Sequence, residues 1–270
     1  MSGLPESVGT VGAGNMAEAI LRGLLRAGML PDQLIASDPD PARRKHIANE
    51  LGIRTTESNA QVAQVSELVV LAVKPAHIEA AAADLPHNGG PLYVSIIAGC
   101  RIATLRRLLG SSARIVRVMP NTPALIGSGV SALATDSGLV AEDLERAQAV
   151  LAAVGRVVRV RESLMDAVTG LSGSGPAYVY LFIEALTEAG VQEGLGASVA
   201  RELAVETVLG AARLVRESGE HPAVLRERVA SPGGTTIAGL SALEQGGLRA
   251  TVLRAVRAAT ARSRELGADS

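Results

Sequence analysis

The chain is predicted to have an α/β fold, in which a doubly wound sheet occupies the N-terminal part and helices alone follow. Short β-branched runs alternate with helical patterns through roughly the first 160 residues, and no strand pattern follows Ser163. The run Leu68–Val73 is apolar throughout, as in strands covered on both faces, which indicates a parallel sheet. We therefore expect a first domain over residues 1–163 and an all-helical domain over residues 164–270.

The individual elements follow from this alternation. Strands are predicted over Ser7–Val11, Leu34–Ser37, Leu68–Val73, Leu92–Ala98, Arg114–Met119, Val130–Ala134 and Arg156–Val160. Helices are predicted between most of them, over Met16–Gly28, Pro41–Leu51, Arg101–Leu109 and Ala141–Ala153. Strands that alternate with helices in this way are typical of the Rossmann class.

Composition excludes several functional classes. The chain has 26 basic and 27 acidic residues in 270, and this balance argues against nucleic acid or an anionic membrane as a partner. A single cysteine, Cys100, excludes an intrachain disulfide, and the spacing of Cys and His predicts no metal site. The start of the chain lacks a signal-peptide pattern, and Ala177–Leu186 is too short for a membrane span. We expect a cytoplasmic protein with a small-molecule ligand.

The helical part predicts self-association. Ala177–Leu186 is apolar almost all round, so its helix must be buried on every side. About a hundred residues hardly suffice for that without a second subunit. We expect a homo-oligomer with a dimer interface in the helical domain.

A glycine-rich turn predicts a dinucleotide site. Gly12, Gly14 and Ala17 follow the first strand with fingerprint spacing and open a helix. Gly12 would permit the tight turn and Gly14 a close approach to a pyrophosphate, which the helix N-terminus would bind. The expected contacts in this turn are Gly12, Ala13, Gly14, Asn15 and Met16.

The end of the second strand is where the 2′ position of the adenosine ribose is usually recognised. Asp38 favours the free hydroxyl of NAD, whereas Ser37 with Arg43 or Arg44 would hold the 2′-phosphate of NADP. The two arginines could equally form a solvated helix face. Both cofactors therefore remain open at this point.

Further candidates follow later strands, at the sheet edge where ligands bind in this fold. Ala72, Val73, Lys74 and Pro75 end one strand and Ala98 ends the next, and we predict cofactor contacts at all of them. Asn121 follows the strand over Arg114–Met119 and is a further candidate, although two flanking prolines also suit a simple turn.

A second site is predicted far along the chain, at Ser231–Thr236. Hydroxyl groups and glycine N–H groups that precede a helix suit an anion such as a carboxylate. The alternative is a linker that only caps the helix.

The chain resembles the pyrroline-5-carboxylate reductase family from Val11 to about Leu266. The resemblance is carried by five ordered blocks, which are Gly12–Ala17, Leu71–Pro75, Arg117–Pro123, Leu171–Ala177 and Ser231–Leu240 with Leu243 and Glu244 behind it. It implies that NADP(H) or NAD(H) reduces the cyclic imine 1-pyrroline-5-carboxylate to L-proline, the last step of proline biosynthesis. It also implies a Rossmann domain and a helical domain that interlocks two subunits, with larger rings of dimers, up to a decamer, in some members.

The resemblance assigns residues as well. Asn59, Ala72, Lys74 and Ala98 match positions that contact the dinucleotide, and Thr235 and Thr236 match positions that hold the substrate. Asp38 stands where some members have serine or asparagine, which puts the usual NADPH preference in doubt.

From these assignments, we expect Ser231, Gly233, Gly234 and Thr235 to bind the substrate carboxylate. Thr236 would hydrogen-bond the ring nitrogen and is the predicted catalytic residue. A β-hydroxyacid dehydrogenase or imine reductase is a rival, but the helix over Ala177–Gly194 lacks the lysine that hydroxyacid enzymes generally use. A non-catalytic dinucleotide sensor would not need the Ser231–Thr236 loop.

Overall fold

The structure, a computed structural model, describes residues 3–136 and 138–268. It divides into two compact units, of which the first comprises Met1–Ser174 with Arg257–Ser270 and the second Gly175–Val256. The boundary between the two functional domains, predicted after residue 163, stays a prediction.

The first unit contains an eight-stranded sheet of order β3-β2-β1-β4-β5-β6-β7-β8. Its strands are β1 Val8–Val11, β2 Leu34–Ser37, β3 Arg54–Thr56, β4 Leu68–Leu71, β5 Leu92–Ser95, β6 Ile115–Met119, β7 Gly129–Ala134 and β8 Gly155–Arg159. All seven predicted strands are present. β3 was not predicted, because it is a three-residue edge strand that carries no apolar run.

Helices cover both faces of this sheet. They are α1 Asn15–Arg26, α2 Pro41–Leu51, α3 Asn59–Val65, α4 Ile78–Ala82, α5 Ile102–Leu109, α6 Ala141–Ala152 and α7 Met165–Val168, and α7 leads into a π-helical segment, Thr169–Gly173. Alternate residues of one strand serve different cores: Leu68 belongs to the cluster around α1 and α6, whereas Val69 belongs to the cluster around α3 and α5. This confirms the doubly wound architecture.

The sheet is parallel except between β6 and β7, which pair antiparallel. The prediction of a parallel sheet is wrong for this one pair of strands. Only a short 3₁₀ turn, Thr122–Ile126, lies between these two strands, and a parallel return needs a crossover of a dozen or more residues. The longer connection through α6 restores parallel pairing between β7 and β8.

The second unit is all-helical, as predicted. Its helices are α8 Gly175–Gln192, α9 Ala197–Ser218, α10 Pro222–Arg228, α11 Thr235–Gln245 and α12 Leu248–Ala268, whose last part, from Arg257, belongs to the first unit. Among its described hydrophobic residues only Ala200 and Ala204 are buried, whereas Leu181 is 66% exposed within the single chain. The apolar faces of α8 and α9 therefore lack a cover.

None of the helices in the described residues is long and apolar enough to cross a membrane.

Candidate active site

The turn after β1 adopts the conformation that its glycines predict. Gly12 has a φ of +89°, and a Cβ there would lie 2.8 Å from the backbone oxygen of Ala72, so only glycine fits. Gly14 caps α1 in an extended conformation, and no side chain caps the helix. The first N–H groups of α1 are therefore left for a ligand, and both Gly14 and Asn15 are exposed.

This turn lies at the topological switch point of the sheet. β1 is flanked by β2 on one side and β4 on the other, so the chain reverses its direction of progress there. In doubly wound sheets the ligand crevice opens at this point, beyond the carboxyl ends of the strands. Ala17 is fully buried and keeps α1 close to the sheet.

A cleft of about 280 Å³ opens beside the turn. It is lined by residues from α1, from the ends of β4, β5 and β6, and from the π-helical segment: Met16, Ala72, Val73, Ile96, Met119, Pro120, Asn121, Thr122 and Gly173. Four predicted cofactor residues, Met16, Ala72, Val73 and Asn121, therefore come together in one cavity. Its largely apolar lining and its position suit a nicotinamide ring.

The side chain of Asn121, in this cleft, forms hydrogen bonds to other parts of the protein. Its Nδ2 group donates to the carbonyl of Ser172 at 3.2 Å, and its Oδ1 accepts from the N–H of Val130 at 2.9 Å. The side chain thus ties the end of β6 to β7 and to the π-helical segment. A cofactor contact by Asn121 stays a prediction, and the hydrogen bonds assign it a positioning role.

Three residues that line the cleft were not predicted from the sequence: Ile96, Met119 and Gly173. Gly173 lies in the π-helical segment, where a Cβ would lie 2.6 Å from Cε of Met119. Single π-turns occur frequently at functional sites, but no sequence pattern marks them. Ile96 could have been found, because it follows the buried end of β5 at the ligand edge of the sheet.

Ser37 and Asn59 form a linked pair near the 2′ end of the site. The Ser37 side chain is fully buried, and its hydroxyl lies 2.7 Å from Oδ1 of Asn59 and 3.3 Å from the carbonyl oxygen of Thr10. Nδ2 of Asn59 donates to the carbonyl of Ala81. This burial argues against direct contact of the Ser37 hydroxyl with a 2′-phosphate, and we revise its role to positioning Asn59.

Asp38 contacts the glycine-rich turn directly. Its Oδ2 accepts a hydrogen bond from the N–H of Ala13 at 2.9 Å, and its Oδ1 accepts from the N–H of Asp40 at 3.0 Å. The carboxylate is held in place by two backbone groups at the tip of β2. A fixed negative charge thus lies where the adenosine ribose is expected.

Arg43 and Arg44 are both engaged within the protein. Arg43 donates to the carbonyl of Ala13 and pairs with Glu18 at 2.6 Å, whereas Arg44 donates to the carbonyl of Asp38 at 2.8 Å. Burial raises the pKa of Glu18, but hydrogen bonds from Arg22 and Arg43 outweigh it and hold that pKa below its usual value. Both side chains are partly exposed, at 23% and 21%, and their contacts go beyond those of a solvated helix face.

The remaining cofactor candidates, Lys74, Pro75 and Ala98, are exposed at the carboxyl end of the sheet. Lys74 directly precedes a 3₁₀ turn that begins at Pro75. None of the ion pairs among the described residues involves Lys74, so its ammonium group is available to a phosphate. Their contacts with a dinucleotide stay predictions.

The Ser231–Thr236 loop lies in the second unit and leads into α11. Gly233 has a φ of +69°, and the N–H of Gly234 donates to the carbonyl of Ser231 at 3.0 Å, which closes a tight turn. Gly234 caps α11 without a side-chain hydrogen bond, and Thr235 and Thr236 are its first two residues. Their N–H groups have no partner within the helix and suit a carboxylate.

The described ranges contain no group of three or more His, Cys, Asp or Glu side chains that could hold a metal ion.

Comparison with known proteins bears on both units. Residues 162–266 match the family described as pyrroline-5-carboxylate reductase dimerisation, and residues 7–99 match the family described as NADP oxidoreductase coenzyme F420-dependent. The pyrroline-5-carboxylate reductase of Synechocystis sp. is 46% identical over 96% of this chain and 98% of its own.

Two solved structures have the same architecture. A pyrroline-5-carboxylate reductase from Coxiella burnetii is 36% identical with a TM-score of 0.91 and covers 97% of this chain and 98% of its own. The pyrroline carboxylate reductase of Plasmodium falciparum, crystallised with NADP bound, is 32% identical with a TM-score of 0.87 over 97% of this chain and 98% of its own. Identity of this level over nearly the full length confirms the resemblance, and the chain belongs to the pyrroline-5-carboxylate reductase family.

Proposed function

We propose that this chain reduces the C=N bond of 1-pyrroline-5-carboxylate to give L-proline, with a nicotinamide dinucleotide as the second substrate. The observation that carries the proposal is the presence of a glycine-rich turn at the sheet switch point together with a loop before α11 whose hydroxyl and N–H groups suit a carboxylate. Family membership supports the same reaction.

The cofactor is NADPH, with NADH also accepted. The family match of the N-terminal part and the NADP bound to the Plasmodium relative support NADPH. In this proposal Gly12 to Met16 hold the pyrophosphate, Lys74 neutralises phosphate charge, and Ala72, Val73 and Ala98 leave room for the nicotinamide ring. When bound, the reduced nicotinamide supplies the hydride.

The substrate carboxylate is held at the N-terminus of α11. Ser231, Gly233, Gly234 and Thr235 provide hydroxyl and N–H donors there, and the positive end of the helix dipole adds attraction for an anion. The exposure of Ser231, Gly233 and Thr235 in the single chain is consistent with this role.

Thr236 is the proposed catalytic residue. Its hydroxyl would hydrogen-bond the ring nitrogen and fix the orientation of the imine. A protonated imine is already electrophilic, so the chain needs no histidine or paired carboxylates to activate it. Most of the rate enhancement would then come from positioning.

Assembly follows from the helical unit, which matches the family's dimerisation model and makes the chain a homo-oligomer. We propose that two chains associate through the exposed faces of α8 and α9, and that dimers form a larger ring. We also propose that the protein acts in the cytoplasm.

The reaction is tested by mixing the purified full chain with pyrroline-5-carboxylate and either NADPH or NADH. We expect the absorbance of the reduced nicotinamide to fall with both cofactors, and L-proline to form in equal amount. Cofactor binding without any loss of absorbance would instead favour a dinucleotide sensor.

A further inference from the structure

The carboxylate of Asp38 is fixed at the place that distinguishes the two cofactors. Its two oxygens accept hydrogen bonds from the N–H groups of Ala13 at 2.9 Å and Asp40 at 3.0 Å. Rotation away from the site would break both bonds. Because the acceptor faces the glycine-rich turn from the end of β2, it lies on the side from which the adenosine ribose is recognised.

The cations beside Asp38 are already used by other groups. Arg43 is paired with Glu18 at 2.6 Å and with the carbonyl of Ala13, and its side chain is only 23% exposed. Arg44 donates to two carbonyls, at 2.8 Å to Asp38 and at 3.0 Å to Pro39, and lies 3.8 Å from a carboxylate oxygen of Glu57. The positions of both guanidinium groups are therefore set by contacts within the protein.

Ser37 offers no alternative contact for a 2′-phosphate. It is completely buried, and its single hydroxyl hydrogen is used between Thr10 and Asn59. A ribose 2′-hydroxyl, in contrast, could donate to the Asp38 carboxylate. A 2′-phosphate, with a charge of roughly −2, would meet a fixed like charge instead.

We infer that Asp38 is the residue that sets cofactor preference in this chain. It disfavours the 2′-phosphate and favours the 2′-hydroxyl, so NAD(H) competes with NADP(H) on nearly equal terms. This inference rests on the proposed nicotinamide cofactor, and it adds which residue discriminates and in which direction.

The test is equilibrium binding, measured by calorimetry with NADP⁺ and NAD⁺ in the absence of any imine. For the natural chain we expect the two dissociation constants to differ by less than about tenfold. In Asp38→Asn, the side chain keeps an acceptor for Ala13 but loses its charge. We expect its affinity for NADP⁺ to rise relative to NAD⁺ by about tenfold or more.

Two further variants distinguish the effect of Asp38 on cofactor preference from the effects of Asp40 and Arg43. Asp40→Asn makes the same charge change two residues away, where the side chain only caps α2, and it should leave the ratio of the two constants unchanged. Arg43→Gln should weaken both cofactors alike, because it acts through the Ala13 carbonyl. A selective loss of NADP⁺ binding in Arg43→Gln would show that Arg43 recognises the phosphate.

An unchanged ratio in Asp38→Asn would overturn the inference, as would a natural chain that strongly prefers NADP⁺. The binding measurement contains no imine. Its result can therefore be interpreted even if the chain does not reduce pyrroline-5-carboxylate. Failure of both dinucleotides to bind would contradict the inference and the proposed function together.

Discussion

At the scale of single residues, Gly12 is the position where backbone geometry and function coincide. A side chain there would face both a φ of +89° and a contact of 2.8 Å to the Ala72 oxygen. We predict that Gly12→Ala lowers the free energy of unfolding by roughly 1–3 kcal/mol and abolishes dinucleotide binding. Chemical denaturation and cofactor titration measure the two effects.

Gly14 provides the control for Gly12. Its φ is −65°, and nothing lies within 4 Å of a Cβ built there. Gly14→Ala should therefore change the free energy of unfolding by less than about 1 kcal/mol. Equal destabilisation by both substitutions would show that the conformation of Gly12 is not the constraint.

Thr236 tests the chemistry rather than the fold. Loss of its hydroxyl in Thr236→Ala should lower kcat by roughly 10- to 1000-fold, because an oriented donor or acceptor is lost at the reacting nitrogen. Thr236→Ser keeps the hydroxyl and should recover most of the activity. Steady-state kinetics of both variants measure these effects on kcat. If Thr236→Ala kept the kcat of the natural chain, this residue would have no part in the mechanism.

At the scale of elements, a partly buried ion pair joins β6, the start of α5 and the segment at Glu162. Arg117 on β6 is 7% exposed and contacts Glu162 at 3.2 Å, and the same Glu162 oxygen accepts from the N–H of Ile102 at 2.8 Å. Glu162 thus caps α5 from sixty residues away along the chain. The interaction fixes the β5–α5 loop, which carries Ala98, against β6.

We predict that Glu162→Ala lowers the free energy of unfolding by roughly 2–4 kcal/mol, because it leaves a buried guanidinium and a helix N–H without their acceptor. Glu162→Gln keeps an acceptor and should cost clearly less. Urea denaturation of the two variants gives the comparison. Equal stability of Glu162→Ala and the natural chain would contradict the role assigned to this pair.

Local patterns predicted the elements well where local physics determines them. The bounds of β2 and α2 agree with the prediction, since apolar runs and Pro41 mark them. The antiparallel β7 and the π-helical turn at Gly173 depend on connection length and on packing against Met119. These are tertiary effects, and no periodicity in the sequence encodes them.

The site residues also divide into those that local sequence predicts and those that depend on tertiary contacts. The Gly12–Ala17 turn was evident because only glycine tolerates its conformation, and the Ser231–Thr236 loop because its residue types suit an anion. The pairing of the charged side chains could not be predicted from the sequence. Arg43 turns out to be held by Glu18, and Ser37 to be buried, because of contacts between residues far apart in the chain.

At the scale of the whole molecule, the uncovered apolar helices require a second chain. We predict that Leu181→Glu, at a position 66% exposed in the single chain, raises the dissociation constant of the dimer by about 100-fold or more, because a charge would be buried at the interface. Sedimentation velocity measures the assembly state.

Leu30→Glu makes the same chemical change at a position in the first unit that is 60% exposed, and it should leave the assembly intact. If Leu181→Glu remained dimeric at low concentration, the face of α8 would not be the interface. If Leu30→Glu dissociated the protein, the interface would include the first unit.

In the proposed function, the dinucleotide turn and the Ser231–Thr236 loop bind the two substrates of one hydride transfer to a cyclic imine. It is tested most directly with NADPH deuterated at its transferable position and pyrroline-5-carboxylate, followed by mass spectrometry and NMR of the product. We expect L-proline with one deuterium on the ring carbon that belonged to the C=N bond. Unlabelled proline, or no proline, would contradict it.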